Sequence, residues 1–207
     1  MTGKLIVVEG IDGTGKSTLI DAVKEKFAAV SRPAVWVRDP GSTPISTAIR
    51  QLLLDPRNTA IQPLTELLLY CASRAQLIGE VIRPALTRGE TVFSDRFYYS
   101  TLAYQGAHGI LPADKLRTLI VEAAEMLTPD LVILLDAPAQ VCMARIRREH
   151  DRMESRGCEY MERVRKLYLQ EINALPAGRR LILDATRPAE AGIADALAAV
   201  EKVCHAV

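Results

Sequence analysis

The sequence predicts an α/β fold, a five-stranded parallel sheet with helices on both faces, and two observations carry that expectation. Apolar runs of strand length, at residues 5–8, 34–37, 91–94, 131–135 and 181–183, alternate with helical patterns along the whole chain. Such alternation is the mark of repeated strand–helix units. Within the runs, apolar and polar residues do not alternate, so the strands are expected to be covered on both faces.

Taken in order, the first run follows Met-Thr-Gly-Lys and is read as a strand rather than a signal peptide. A helix is predicted from residue 16 to about 30. A long one follows from about 63 to 87, where Pro63 suits a first turn and Gly89 an exit. Further helices are predicted at about 96–106, 114–127, 138–149, 158–174 and 188–204. The length of 207 residues suits one domain, residues 1–207, with no repeat, low-complexity stretch or long linker.

Composition excludes several classes. Lys and Arg number 26 against 25 Asp and Glu, a balance that disfavours a nucleic-acid polymer as partner. Cys71, Cys142, Cys158 and Cys204 are scattered, without a C-x-x-C pair or histidines at metal-ligand spacing, and are read as free packing thiols. No apolar run has transmembrane length, so no membrane partner is expected and a reducing cytoplasmic location is.

Between the first strand and the first helix, Gly10-Ile-Asp-Gly-Thr-Gly-Lys-Ser17 matches the phosphate-loop pattern in the context that pattern requires. The expected fold is therefore of the P-loop NTPase type, three-layered. Glycines let several backbone N–H groups converge on one phosphate, the following helix directs its positive end there, and Lys16 adds a mobile charge. The expected ATP-binding residues are Gly10, Ile11, Asp12, Gly13, Thr14, Gly15, Lys16, Ser17 and Thr18. Ser17 is the expected Mg²⁺ ligand. The loop is shared by GTPases, ATPases and many kinases, so it names phosphate but not the acceptor.

Three further segments narrow the acceptor. Arg38-Asp-Pro-Gly-Ser-Thr-Pro44 puts an arginine at a strand's carboxyl end, where such sheets bind ligands and where its planar fork suits a phosphate. Asp95-Arg96 closes the third strand in the same way, and Asp95 is placed to hold Mg²⁺ directly or through water. Tyr70 and Arg74 lie four apart, on one helical face. These residues point to a kinase with an anionic acceptor.

The chain resembles the thymidylate kinase family in Glu9-Gly-Ile-Asp-Gly-Thr-Gly-Lys-Ser-Thr18, Arg38-Asp-Pro-Gly41, Ser73-Arg-Ala-Gln76, Asp95-Arg96, Ala103-Tyr-Gln-Gly106 and Asp151-Arg-Met-Glu154. The resemblance implies transfer of the γ-phosphoryl group of ATP to dTMP, giving dTDP, with Mg²⁺. It also implies a homodimer packed through helices. It places Asp12 near the acceptor sugar and the metal, with Arg38 and Arg96 on the acceptor phosphate. Tyr70 would stack on thymine, Arg74 would hydrogen-bond its edge, and Ser100 and Gln105 would complete the base pocket. Tyr104 is read as core or as pocket wall. The sequence departs from the family in Asp39, where glutamate is usual, in Tyr70, where phenylalanine is common, and in the aromatic Phe97-Tyr-Tyr99. Those last rings either enlarge the pocket or pack.

Family members with glycine after the loop aspartate carry the catalytic arginine in a mobile lid, and this chain has Gly13 there. The charged stretch 145–157 is then the lid. Arg147 is the first candidate for the catalytic role, followed by Arg145 and Arg152, while Arg148 and Arg156 are expected in solvent. With Lys16, Asp95 and Arg96 these complete the expected catalytic set. Asp184-Ala-Thr-Arg-Pro188 resembles the family's adenine-contacting loop, with Arg187 either stacked on adenine or at the surface. Rival readings are a kinase for another pyrimidine monophosphate or a deoxynucleoside, and a nucleotide-binding regulator without turnover.

Overall fold

The structure is a computed structural model that describes residues 3–147 and 151–205. Among them are five strands, β1 (Leu5–Glu9), β2 (Ala34–Arg38), β3 (Thr91–Asp95), β4 (Leu131–Asp136) and β5 (Arg180–Asp184). They form one parallel sheet in the order β2-β3-β1-β4-β5. Each strand runs one residue beyond its apolar run to a charged residue: Glu9, Arg38, Asp95, Asp136 and Asp184. The carboxyl edge of the sheet is thereby polar, and β1 is central, so its exit loop lies beside the ends of β3 and β4.

The unalternated runs have a direct explanation. Leu5 and Val7 of β1 face one apolar core while Ile6 and Val8 face the other, and all four are at most 2% exposed. One core is closed by the helices α3 (Pro63–Leu77), α5 (Tyr98–His108) and α8 (Cys158–Asn173). The second lies under α1 (Lys16–Ala29) and α9 (Ala189–His205), and contains Phe27 set edge-on to Phe93.

Several elements depart from the sequence expectation. The chain forms a helix, α2 (Pro44–Leu54), where none was anticipated. Its signals are nonetheless ordinary: Thr43 Oγ1 accepts from the Ser46 N–H at 3.1 Å and Pro44 occupies the first turn. The long helix at 63–87 is present but changes pitch. It passes from α3 through a π turn (Ile78–Ile82) into α4 (Arg83–Thr87), where Pro84 lacks the N–H an α-helical ladder requires. Helix α5 begins at Tyr98 rather than 96, because Arg96 is left-handed (φ 70°) and Phe97 extended. Helix α6 (Ala113–Ala123) stops short of 127, since Glu125 and Met126 have positive φ. Helix α7 (Ala139–Arg145) gives way at Ile146 to extended backbone. Arg148, expected in solvent, lies outside the described residues. No helix among the described residues is long and apolar enough to cross a membrane.

Candidate active site

The loop leaves β1 at Glu9 and closes against the elements beside it. Gly10 has φ 142°, and a Cβ there would sit 2.5 Å from the Leu135 carbonyl oxygen. At Gly13 (φ 84°) a Cβ would overlap the backbone of Cys142 in α7. The loop is thus packed against the helix that leads into the expected lid, and no side chain fits at position 13. Lys16 is buried, and its Nζ donates to the carbonyls of Gly10 and Ile11, each at 2.9 Å. Burial, reinforced by the Arg96 charge, draws the Lys16 pKa below the usual lysine range.

The cleft over the loop is lined by Asp12, Lys16, Ser17, Arg38, Arg50, Asp95, Arg96, Arg145 and Arg147. Asp95 Oδ2 accepts from Arg38 Nε at 2.8 Å, while its Oδ1 is buried with no hydrogen-bond partner. A hard cation fits that orphan oxygen together with the Ser17 hydroxyl, which lies in the same cleft. No cluster of three or more His, Cys, Asp or Glu suited to a metal occurs among the described residues. The donors the cleft does supply, a carboxylate oxygen and a hydroxyl, are of the hard type that Mg²⁺ combines with phosphate oxygens and water.

A second cavity opens on this cleft. Asp12, Tyr70, Arg74, Arg96, Ser100, Tyr104 and Gln105 line it, as do Asp39 and Arg50. Arg74 is 1% exposed; its Nε donates to Asp39 Oδ2 at 2.5 Å and its Nη2 to Thr101 Oγ1 at 2.6 Å, while Nη1 is buried and unpartnered. Burial pushes the Asp39 carboxyl above its ordinary pKa, with Arg74 opposing. Arg96 is stitched into the loop. Its Nη2 donates to Asp12 Oδ1 at 2.7 Å, and its Nη1 to Gly10 O at 2.9 Å and Tyr168 OH at 3.0 Å.

Beneath these groups, fully buried Glu9 accepts from the Phe97 N–H at 2.8 Å and the Ser100 hydroxyl at 2.6 Å. It thereby pins the start of α5, and desolvation raises its pKa. Tyr104 proves to be both core and wall: it is 6% exposed, yet its hydroxyl donates to Asp12 Oδ2 at 3.4 Å. Phe97, Tyr98 and Tyr99 pack in the core and do not line the cavity.

Two expectations are corrected, those for Arg156 and Cys158, and two site candidates, Arg38 and Arg152, lie apart from the places expected of them. Arg38 lines the loop cleft rather than the acceptor cavity, because the parallel register sets it opposite Asp95, with which it pairs. Arg152, a catalytic candidate, is turned towards α3: its guanidinium lies 2.5 Å from Glu66 Oε2, and its Nε donates to Leu53 O at 2.7 Å. Arg156 is not in solvent but 2.7 Å from the same Glu66 oxygen. Glu66 is 0% exposed, and a carboxylate so buried draws in whatever countercharge the chain supplies. Cys158 is exposed, whereas Cys71 and Cys142 are buried. The other two lid candidates remain at the cleft. Arg147 is exposed there, and Arg145 also donates to Ala185 O at 2.9 Å. Arg145 and exposed Arg187 border a third cavity, formed with Leu135, Leu183 and Pro188.

Two residues were missed. Arg50 was overlooked with its helix; it lines both cavity and cleft, and Thr43-Pro44 would have signalled its element. Glu66 stands four residues before Tyr70, on the face already singled out, but a lone glutamate on a helix reads as solvated.

A phosphate loop at the centre of a parallel sheet, with a side-chain cavity opening on it that Arg50, Arg74 and Arg96 share with Asp12 and Asp39, fits a nucleotide-dependent kinase of a small anionic acceptor. Residues 8–195 match the model of the family Thymidylate kinase. The thymidylate kinase of Deinococcus radiodurans is 42% identical over 205 residues, 98% of either chain. That of Desulforudis audaxviator is 45% identical over 195 residues, 93% of this chain and 87% of the relative. The chain belongs to the thymidylate kinase family, and its activity is the ATP-dependent phosphorylation of dTMP to dTDP.

Proposed function

We propose that the loop cleft holds the ATP phosphates and the adjoining cavity holds dTMP, within one domain spanning residues 1–207. The observation that carries this division is the shared wall: Asp12, Arg50 and Arg96 line both spaces, so two anions seated in them would face each other there. Transfer needs positioning and cationic cover more than covalent help.

On this reading Lys16 exchanges the carbonyls of Gly10 and Ile11 for phosphate oxygens, with residues 10–18 cradling the donor. Arg96 and Arg50 hold the acceptor phosphate, from which an oxygen attacks the γ-phosphorus as the bond to ADP breaks. Asp12, fixed by Arg96, lies beside the acceptor sugar. Tyr70 faces the thymine ring, and Arg74, Ser100 and Gln105 read its polar edge. Arg147, with Arg145, covers the migrating group from a lid at 145–157, and Arg187 borders the adenine site. Ser17 and Asp95, with Asp12 close by, would hold Mg²⁺, which supplies charge neutralisation at the phosphates.

A cytoplasmic homodimer is part of the same reading. Its support is an exposed apolar face on two neighbouring helices: Ile45 and Leu52 of α2, Leu64 and Leu68 of α3. An ADP-release assay across nucleoside monophosphates, with and without Mg²⁺, tests the site. dTMP with Mg²⁺ should give the highest kcat/KM, and preference for dCMP or an unphosphorylated nucleoside would overturn it. Sedimentation of wild type and Leu68→Glu tests the dimer, which the variant should disrupt.

A further inference from the structure

We propose that Glu66, which touches no substrate, sets base selectivity by fixing which end of the Gln105 amide faces the acceptor cavity. This rests on the reading that the cavity holds the base of dTMP. Glu66 lies on α3, four residues before Tyr70 and eight before Arg74, and is 0% exposed. Its Oε1 accepts from Gln105 Nε2 at 2.9 Å. Its Oε2 is met by Arg152 at 2.5 Å and Arg156 at 2.7 Å.

A carboxylate held by two guanidiniums offers only acceptors, so the Gln105 atom beside it must be the amide nitrogen. The amide oxygen is then the end of Gln105 left to meet a ligand. In the same cavity, Arg74 Nη1 is a buried donor with no protein partner. Arg74 Nη1 and the Gln105 amide oxygen are thus a donor and an acceptor contributed by two residues of the same cavity wall.

Thymine carries a carbonyl oxygen, O4, beside an N3–H, the complement of that pair. Cytosine carries an amino group beside an unprotonated N3, so both positions are reversed. Turning the Gln105 amide over would offer its NH₂ to the N3 of cytosine. It would also set the amide oxygen against Glu66 Oε1, two acceptors in contact inside the protein, which a buried site does not tolerate. Glu66 is therefore a positioning residue that closes the orientation cytosine would need, and Arg152 and Arg156 supply the countercharge that keeps its carboxylate in place.

The test is kcat/KM for dTMP and dCMP in the full chain, measured for wild type, Glu66→Gln, Gln105→Met and the double variant. In Glu66→Gln the introduced amide accommodates either orientation of Gln105. The dTMP-over-dCMP preference should fall about tenfold or more, with the KM for ATP unchanged. Gln105→Met should lower kcat/KM for dTMP and spare dCMP, and Glu66→Gln in that background should change the preference no further. Overturning results are a preference lost equally in the Gln105→Met background, or both acceptors depressed alike by Glu66→Gln with the preference intact. Should Glu66→Gln fail to fold, Gln105→Met decides alone: a greater loss for dCMP than for dTMP means the NH₂ faces the base. Failure of the underlying reading is separately visible, since a wild type without preference for dTMP removes it before any variant is compared.

Discussion

The two sides of the site are built from different materials. The phosphate side is a contiguous loop whose groups are mostly backbone, shaped by left-handed glycines and shut against Leu135 and Cys142. The acceptor side is made of side chains from α2, α3, α5 and the loops that follow β2 and β3, held by ion pairs and hydrogen bonds between distant residues: Arg74 on Asp39, Arg96 on Asp12, and Gln105, Arg152 and Arg156 on Glu66. The difference teaches where each side is fragile. Adding an atom should damage the first, and deleting one the second.

The largest expected effect separates the two ends of the charged stretch 145–157. Arg147→Ala should lower kcat by about 10³ with little change in ATP affinity, as for arginines that act as fingers. Arg152→Ala should instead lower stability and leave a larger residual turnover. Single-turnover kinetics beside urea denaturation decide this, and near-normal turnover in Arg147→Ala would move the role to Arg145.

Next in size, Asp39→Asn removes the charge that Arg74 faces within the protein. Breaking such a buried pair should cost about 3 kcal/mol of stability and raise the KM for dTMP, with the KM for ATP unaffected. On the other side, Gly13→Ala must push its new methyl into the Cys142 backbone at a positive φ. Overpacking of this kind costs about 1–3 kcal/mol. Its signature should be impaired turnover with unchanged dTMP binding by calorimetry; normal kinetics would mean that α7 can recede from the loop freely.

The smallest effect concerns Glu9, which links the two sides beneath the surface. Burial raises its pKa above the ordinary glutamate value, so the folded chain binds this proton more tightly than the unfolded one. That contribution is present below the unfolded pKa and is lost as pH rises through the folded one. Glu9→Gln lacks it, so the Tm of the variant relative to wild type should rise as pH increases above the ordinary glutamate range. A pH-independent difference would show that Arg96, Ser100 and Tyr168 hold the carboxylate ionised throughout.

The same division governs how legible the protein was. The five strands, the loop and the run of βα units could be read directly, because apolar period and glycine spacing are local properties that tertiary contacts reinforce. The face carrying Tyr70 and Arg74 was legible for the same reason, helical spacing being a local fact. Helix α2 escaped notice among prolines and short polar residues, and Arg50 was lost with it. The lid arginines were legible only as a charged group: nothing in residues 145–157 distinguishes Arg147, at the cleft, from Arg152 and Arg156, at Glu66.

By itself the sequence determined the fold class, the phosphate loop and the resemblance to a family of kinases, all of which rest on residues near one another in the chain. The tertiary structure decided which charges meet. It set Arg38 opposite Asp95 through strand register, and it turned Arg152 and Arg156 inward to a glutamate some ninety positions away. A charged side chain fits many local sequences equally well, and only burial, which makes an unpaired charge costly, selects its partner.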